Sequence, residues 1–481
     1  MNKKKNRKNR VGQFLSADGA LPSGQDSTAG HGIGFVEAFW TWVKIGWLSF
    51  GGPAGQIAMM HRILVDEKKW ISESRFLHAL NYCMLLPGPE AQQLAIYLGW
   101  LLHRIRGGVV AGVLFVLPGA AIILLISILY VEYRDLHIIE AVFFGVKAAI
   151  LAVVFEAVVR IGRKMLKNNF LVAIAVAAFV SIFFFGVPFP LVVVGAGLAG
   201  FLGDRIAPAK FQIIQPEKSA DDNATPMQDY ALDRALQQGK LEHVAPSRTR
   251  AWKVLACCLA LWFGPVIALA ITLGLGHVYV QEGVFFSKMA VVTFGGAYAV
   301  LAYMAQQAVN TYSWLNPGEM LDGLGMAETT PGPLIMVVQF VGFVGAYRNP
   351  GPLDPMVAGM LGALLTSWVT FVPCFLWIFL GAPYIESLRG NRALSTALSG
   401  ITAAIVGVIL NLSVWFSMHV LFSELREIHS LGMNIQIPVW DTLHPWSALL
   451  AIGALILMRC KVGIIKTLAA SIVLGGLIFY F

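Results

Sequence analysis

The chain has 481 residues, of which 57% are hydrophobic and only 13% are charged, about half the charged fraction of an ordinary soluble protein. This composition excludes a soluble globular protein and indicates an integral membrane protein. The net charge of +8 does not indicate a nucleic-acid partner, because most basic residues lie at the ends of hydrophobic segments, where the positive-inside rule and lipid headgroups account for them. The five cysteines have no metal-ligand spacing and are interpreted as reduced packing residues.

The first 33 residues are basic and lack the apolar core of a signal peptide. We interpret residues 1–33 as a disordered cytoplasmic tail. Continuously apolar segments follow, as expected for membrane helices and not for the alternating strands of a barrel. The thirteen predicted hydrophobic segments are 34–60, 77–103, 108–130, 138–159, 169–186, 188–203, 252–277, 284–310, 321–347, 356–381, 395–417, 444–459 and 463–480.

A polar stretch divides these segments into six and seven. We predict a first membrane repeat at 34–203, a polar cytoplasmic linker at 204–251, an extra spanning helix at 252–283 and a second membrane repeat at 284–481. The linker has few large apolar residues and is not expected to form a core of its own.

The two membrane regions repeat the same motifs. Ser49-Phe50-Gly51-Gly52 returns as Thr293-Phe294-Gly295-Gly296, and Pro87-Gly88-Pro89 returns as Pro331-Gly332-Pro333, in both cases 244 positions later (49 to 293, 87 to 331). Further along, the spacing between equivalent residues becomes 255 (118 to 373). An odd number of spans between equivalent helices turns the second copy over, so the sequence predicts an all-α fold with an inverted repeat.

The loop after the first segment leaves two topologies open. Simple crossing places its basic residues outside, against the positive-inside rule. If segments 34–60 and 77–103 are instead re-entrant hairpins, the loop stays inside and the later topology is unchanged. The basic residues are Arg62, Lys68, Lys69 and Arg75.

Glycine and proline are expected to break the first two segments of each repeat within the membrane. Broken helices survive where protein or a wet cavity surrounds them, and their half-helix N-termini then present bare N–H groups that suit an anion. A proline kink or a glycine packing notch is the structural alternative. The matching breaks in both repeats favour the functional interpretation, with candidate site residues at Gly51, Gly52, Pro53, Pro87, Gly88, Pro89, Gly295, Gly296, Pro331, Gly332 and Pro333.

Three lysines within apolar segments are candidate anion ligands, since a charge at a span centre costs about 2.5–3.5 kcal/mol on insertion scales. Lys44 and Lys288 precede the Phe-Gly-Gly motifs by about 7.5 Å of helix and are expected to face one cavity from opposite sides. Snorkelling, or pairing with Glu37 or Glu282, is the alternative. Lys147 lies deeper in its segment and is the better candidate.

Two carboxylates beside the breaks are candidates for proton coupling. Glu90 follows the first Pro-Gly-Pro motif, and Glu328 precedes the second. Their structural alternatives are a dipole-stabilised carboxylate at Glu90 and a salt bridge at Glu328.

Several of these motifs together resemble the chromate ion transporter (CHR) family. The resemblance covers nearly all of residues 34–481 and rests on Lys44 through Pro53, Trp70, Leu86 through Ala91, Thr293 through Tyr298 and Thr330 through Leu334. It implies export of chromate across a bacterial inner membrane, chromate resistance as the outcome, and no metal or organic cofactor. The basic N-terminus is placed in the cytoplasm by the positive-inside rule.

Other interpretations stay open at this point. Sulfate is a tetrahedral dianion like chromate, so one alternative is a sulfate or other oxyanion transporter that works by proton-coupled uptake. An anion channel of the same architecture is another. An enzyme is disfavoured, because haem-ligand pairs, a Gly-rich nucleotide turn and a cysteine cluster are absent from the sequence. The expected partners are the transported anion and membrane lipid, and a homodimer is compatible with the sequence.

Overall fold

The computed structural model describes residues 31–50, 52–206, 230–238, 242–244, 246–294, 297–384, 392–430 and 433–480. The predicted tail, apart from residues 31–33, and much of the predicted linker lie outside these ranges, as do Gly51, Gly295 and Gly296. Within them the chain is almost entirely helical, with one antiparallel β-hairpin. The predicted all-α class is therefore confirmed.

The first repeat has short helices at the predicted breaks and a long pair beyond them. Its helices are α1 (Phe35–Leu48), α2 (Gly52–His61), α3 (Glu73–Cys83), α4 (Glu90–Tyr133), α5 (His137–Met165), α6 (Asn169–Phe183) and α7 (Phe189–Ile206). A π-helical turn, Arg62–Glu67, extends α2. The backbone of α4 is non-helical at His103 and Arg104. Its two limbs, 90–102 and 105–133, are therefore antiparallel, and Gly99 of one packs on Gly107 of the other.

The linker and the second repeat follow the same plan. They contain α8 (Ala231–Gln237), α9 (Arg248–Leu273), α10 (Val278–Val292), α11 (Ala297–Gln306), α12 (Pro317–Thr329), α13 (Val337–Arg348), α14 (Pro355–Gly381), α15 (Arg392–Leu421), β1 (Leu425–Ser430), β2 (Met433–Pro438), α16 (Pro445–Arg459) and α17 (Ile464–Tyr480). A π-helical turn, Gln307–Thr311, extends α11 just as one extends α2. The β-hairpin is an insertion before α16, where the first repeat passes directly from α5 to α6.

The outer surface of the helices is suited to lipid. Five of the described helices, α4, α5, α9, α14 and α15, contain windows long and apolar enough to cross a membrane. Large apolar side chains on α4, including Leu117, Leu125 and Leu129, are exposed, as expected where hydrocarbon replaces water. The chain is thus a multi-pass membrane protein.

The start of the first repeat and the linker meet at one end of the molecule, here called the linker end. The backbone N–H of Leu232 donates to the Trp70 carbonyl (3.0 Å), and His243 hydrogen-bonds the Trp100 carbonyl (3.1 Å). His31 contacts the Leu102 carbonyl (2.6 Å) at the same end. Helices α1 and α2 therefore form one pair that enters and returns at this end. Helix α3 and the first limb of α4 form a second such pair. This geometry is that of the re-entrant alternative.

The second repeat begins at the opposite end, here called the hairpin end. The second limb of α4 leaves the linker end and rises for 29 residues, about 43 Å. At its far end Arg134 pairs with Glu319 (2.6 Å) in the first turn of α12. Thus α12 enters from the hairpin end, whereas its counterpart α3 enters from the linker end. The predicted inverted repeat has this geometry, with α9 as the additional crossing.

Each repeat covers a long helix of the other. In the first repeat α5 packs against α16 and α17, and in the second α15 packs against α6 and α7. A Cβ on Gly145 of α5 would lie 2.2 Å from the Ser471 carbonyl oxygen, and one on Gly400 of α15 would lie 2.4 Å from the Ala196 carbonyl oxygen. These glycines are equivalent, 255 positions apart, and they let the helices approach closely.

Candidate anion site between the broken helices

The four predicted breaks meet between the two repeats. The N–H of Gly88 donates to the Thr293 carbonyl (2.7 Å), and the N–H of Gly332 donates to the Ser49 carbonyl (2.8 Å). The two bonds are equivalent, because both donors and both acceptors are 244 positions apart. Each Pro-Gly-Pro break is thus joined to the Phe-Gly-Gly break of the other repeat, and we call this pair of bonds the seam.

Local backbone chemistry explains why the chain breaks here. Ser49 and Thr293 end α1 and α10 in non-helical conformations, so their carbonyls lack intrahelical partners. Gly88 (φ 123°) and Gly332 (φ 98°) adopt backbone conformations that side chains disfavour. The flanking prolines cannot donate a backbone hydrogen bond, which leaves the glycine N–H as the donor of each break.

A small cavity lies beside the seam. It is lined by Pro53 and Gln56 of α2, by Pro89, Glu90 and Ala91 at the start of α4, and by Pro333, Leu334 and Ile335 before α13. Its volume is about 10 Å³, room for one water molecule. Three half-helix N-termini therefore converge on one point, an arrangement that favours negative charge. A tetrahedral oxyanion has five heavy atoms and is larger than this cavity.

The cavity is more acidic than the sequence suggested. Glu90 lines it directly, and among the described residues that line it there is no cation. Gln56, which the sequence interpretation missed, is 1% exposed and donates to the Gly332 carbonyl (2.5 Å). The sequence does distinguish Gln56, because it is a polar residue near the start of α2 and the equivalent residue of the second repeat is the apolar Val300.

Lys147 lies away from this cavity, in an ion pair. Its ammonium is 3.5 Å from Asp322 of α12, and the side chains are 31% and 4% exposed. The Tyr130 hydroxyl donates to the same carboxylate (2.9 Å). The pair joins α5 of the first repeat to α12 of the second, between the seam and the hairpin end. Asp322 was not identified from the sequence, because its counterpart is His78.

Lys44 and Lys288 do not line the cavity in this conformation, which corrects the expectation that they face it from opposite sides. The Lys44 side chain is 55% exposed and lies 3.5 Å from Glu67, while Glu37, the partner considered for it, pairs with Lys68 (2.7 Å). Lys288 is also exposed. The buried face of α1 is apolar, which leaves its lysine on the opposite face.

Glu328 lies deep in the second repeat. Its carboxylate is 6% exposed and accepts a hydrogen bond from the Tyr298 hydroxyl (2.6 Å). Arg160 of α5 interacts with both side chains. Glu328 is therefore anchored by polar partners from α11 and α5.

Sequence comparisons assign the chain to a family. The model of the family described as Chromate transporter matches residues 36–201 and 280–478. The chromate transport proteins of Cupriavidus metallidurans and Pseudomonas aeruginosa are similar to this chain, at 30% identity over 76% of this chain and 79% of the relative, and at 31% over 78% and 80%. A probable chromate transport protein of Synechococcus elongatus is 27% identical, over 76% of this chain and 80% of the relative. No solved structure matches the chain.

The family match covers both repeats and every described element of the seam and its cavity. The resemblance given by the paired motifs is thereby confirmed, as is the expectation of a transporter and not an enzyme. On this evidence the chain belongs to the chromate transporter family.

Proposed function

We propose that this protein carries chromate from the cytoplasm across the bacterial inner membrane and thereby confers chromate resistance. The substrate is suggested by the names of two relatives that are 30% and 31% identical. The observation that carries the proposed mechanism is the seam, where equivalent hydrogen bonds from Gly88 and Gly332 join the breaks of both repeats. Such a symmetric centre suits alternating access, in which either end opens while the other is closed.

Binding would use the half-helix N-termini that surround the cavity. In the described conformation the cavity has room for about one water molecule and is too small for an oxyanion. Separation of α2 from the helices that follow the Pro-Gly-Pro breaks would expose backbone N–H groups to the oxyanion. Glu90 then lies beside the bound anion, so the site would hold a dianion weakly enough to release it.

The charge difference between the two ends supports export. Arg62 at the linker end is equivalent to Gln306 at the hairpin end. Arg160 and Arg163 of α5 are likewise equivalent to neutral residues of α15, Trp415 and Met418. The positive-inside rule places the cationic end in the cytoplasm, where it also attracts an anionic substrate.

The membrane potential supports the same direction. The free energy of one charge changes by about 2.3 kcal/mol when it crosses a potential of 100 mV. The free energy of a dianion therefore falls by about 4.6 kcal/mol when it leaves a cell whose interior is negative by 100 mV. Uptake of the same dianion has to overcome this amount. Export of chromate is therefore favourable before any other ion moves.

The test is uptake of labelled chromate into inside-out membrane vesicles, in which export becomes accumulation. Vesicles that contain the protein are expected to accumulate chromate, more strongly when the lumen is made positive, while vesicles without it do not. Sulfate in excess reports whether the site accepts both tetrahedral dianions. Accumulation only in right-side-out vesicles would contradict export, and sulfate uptake without chromate uptake would contradict the substrate.

A further inference from the structure

Glu282 is a buried acidic residue to which the proposed mechanism gives no role. It lies in α10, where this helix passes α13 and α14, and it is 0% exposed. Among the described residues, neither carboxyl oxygen has a hydrogen-bond partner. A Cβ on Gly345 would lie 2.9 Å from one oxygen, and a Cβ on Gly362 would lie 3.1 Å from the other. The carboxyl group thus fills a notch that two glycines leave open.

An ionised carboxylate in this notch would be strongly unfavourable. Burial of an isolated charge costs several kcal/mol unless a counter-charge or hydrogen bonds compensate for it. The carboxyl group is therefore neutral in this conformation, which means that it holds a proton.

The polar groups on the surrounding helices are already engaged. Where α9 meets α10, its contact is the apolar Val266 beside Gly283. On α10 itself, Tyr279 donates to the Ala358 carbonyl and Lys288 is exposed. On the other elements, Tyr298 of α11 donates to Glu328, Arg348 of α13 donates to Glu319 and to the Trp314 carbonyl, and Asp354 at the start of α14 accepts from its own helix N-terminus. Within the described part of the chain, no group donates a hydrogen bond to Glu282.

The first repeat shows that the fold does not require a carboxyl group here. The residue equivalent to Glu282 is Ala38, which is 2% exposed. The stretch equivalent to Gly345 carries Leu101 and Leu102, both buried. The first repeat therefore fills the same space with apolar side chains, which is the more stable solution for a buried site. Retention of an acid in the second repeat favours a function for it.

The position of Glu282 connects it to both the seam and the hairpin end. It lies four residues, about 6 Å, from the start of α10, which is at the hairpin end. The same helix ends at Thr293, whose carbonyl accepts the seam bond from Gly88. A movement of α10 that opens the seam would therefore also move Glu282 out of its notch and into contact with water.

We propose that Glu282 is a proton-binding site that couples proton movement to oxyanion transport by α10. This inference rests on the proposed function. In the described conformation the carboxyl group holds one proton, and when α10 moves it releases that proton to water and becomes a carboxylate. The return of α10 to its notch requires that a proton be bound again. When the site faces one side of the membrane for release and the other side for binding, as alternating access provides, each transport cycle moves one proton across the membrane.

The experiment uses the purified full chain in liposomes. Labelled chromate flux is measured at a potential clamped with potassium and valinomycin, at alkaline pH on both sides so that chromate stays a dianion, with and without a pH gradient. Entrapped pyranine reports proton movement. The wild type is expected to respond to the gradient and to move protons with chromate. Glu282→Gln, which mimics the protonated acid, should keep its flux without a gradient within about twofold and lose both responses.

The matched control is Glu427→Gln, which removes an exposed carboxylate of the β-hairpin and should behave as the wild type. A Glu282→Gln variant that still responds to the gradient would overturn the proposal. So would a wild type that carries chromate without any response to pH, whereas absence of chromate flux would overturn the proposed function itself. If Glu282→Gln does not fold, Glu282→Ala with Gly345→Leu reproduces the first-repeat solution, and the same loss is expected of it.

Discussion

At the scale of single residues, Lys147 is the candidate anion ligand whose surroundings changed most between sequence and structure. It pairs with the buried Asp322 instead of lining the cavity. Lys147→Ala is expected to abolish transport and to lower stability by about 1–3 kcal/mol, less than the loss for a fully buried pair because the lysine is partly exposed. Chromate flux in vesicles and thermal unfolding of the purified protein measure the two effects.

A second variant separates these effects. Lys147→Ala combined with Asp322→Asn removes both charges, so that no carboxylate is left unpaired. We expect stability to return and transport to stay absent. If the double variant transports normally, the pair serves the fold alone and the predicted role of Lys147 is wrong.

At the scale of elements, the breaks depend on glycine backbones. Gly332 has φ 98° and no atom closer than 3.5 Å to an added Cβ, so Gly332→Ala acts through backbone strain of about 1–3 kcal/mol. We expect it to weaken the seam bond to Ser49 and to lower chromate flux at least tenfold. Gly186→Ala, at a positive φ of 61° in the loop between α6 and α7, places a side chain at another positive-φ glycine far from the seam, with less strain because this φ lies in the left-handed region that other residues can adopt. Equal flux in the two variants would contradict a role for the seam.

The breaks themselves could be predicted from the sequence, because glycine and proline act on the local backbone. The return of the half-helices to the linker end could not, since hydrophobicity does not record whether an apolar segment crosses or folds back. Contacts distant in sequence, such as that between Trp70 and Leu232, decide it. The sequence left open whether Lys44 faces the cavity or snorkels, for the same reason: its position along α1 was known, but the face of α1 that packs was not.

At the scale of the whole molecule, transport requires the two repeats to move against each other. A Cβ on Gly88 would lie 3.0 Å from Sγ of Cys374 in α14, close enough for a disulfide in Gly88→Cys. Because Gly88 has a positive φ of 123°, we expect the reduced variant to have a lower flux than the wild type. Oxidation should stop this remaining flux, and a reductant should restore it to the level of the reduced variant. The control is Gly88→Cys with Cys374→Ser, which cannot form the bond. Undiminished flux through the oxidised single variant would argue against relative movement at the seam.

The inverted arrangement could be predicted because it depends only on the number of membrane crossings between equivalent helices. The additional crossing by α9 makes this number odd, so the second repeat has the opposite orientation. The 244-residue register also identified the motifs of the seam as equivalent pairs, but it did not show which motif contacts which. The acidic notch at Glu282 was not identified, since its sequence signal is a departure from the repeat, with Ala38 on one side and Glu282 on the other. The repeat therefore predicts the architecture that the two halves share, whereas a functional group such as the Glu282 carboxyl is found at a position where the two halves differ.

The exchange of helices between the repeats has a consequence for how the chain acquires its structure. Because α5 is covered by α16 and α17 while α15 is covered by α6 and α7, neither half can complete its own interior. The first half emerges from the ribosome with one side of α5 still facing lipid, and it stays unfinished until the last helices of the protein have entered the membrane. Folding therefore ends at the C-terminus, and a chain truncated before α16 would insert but remain open along α5.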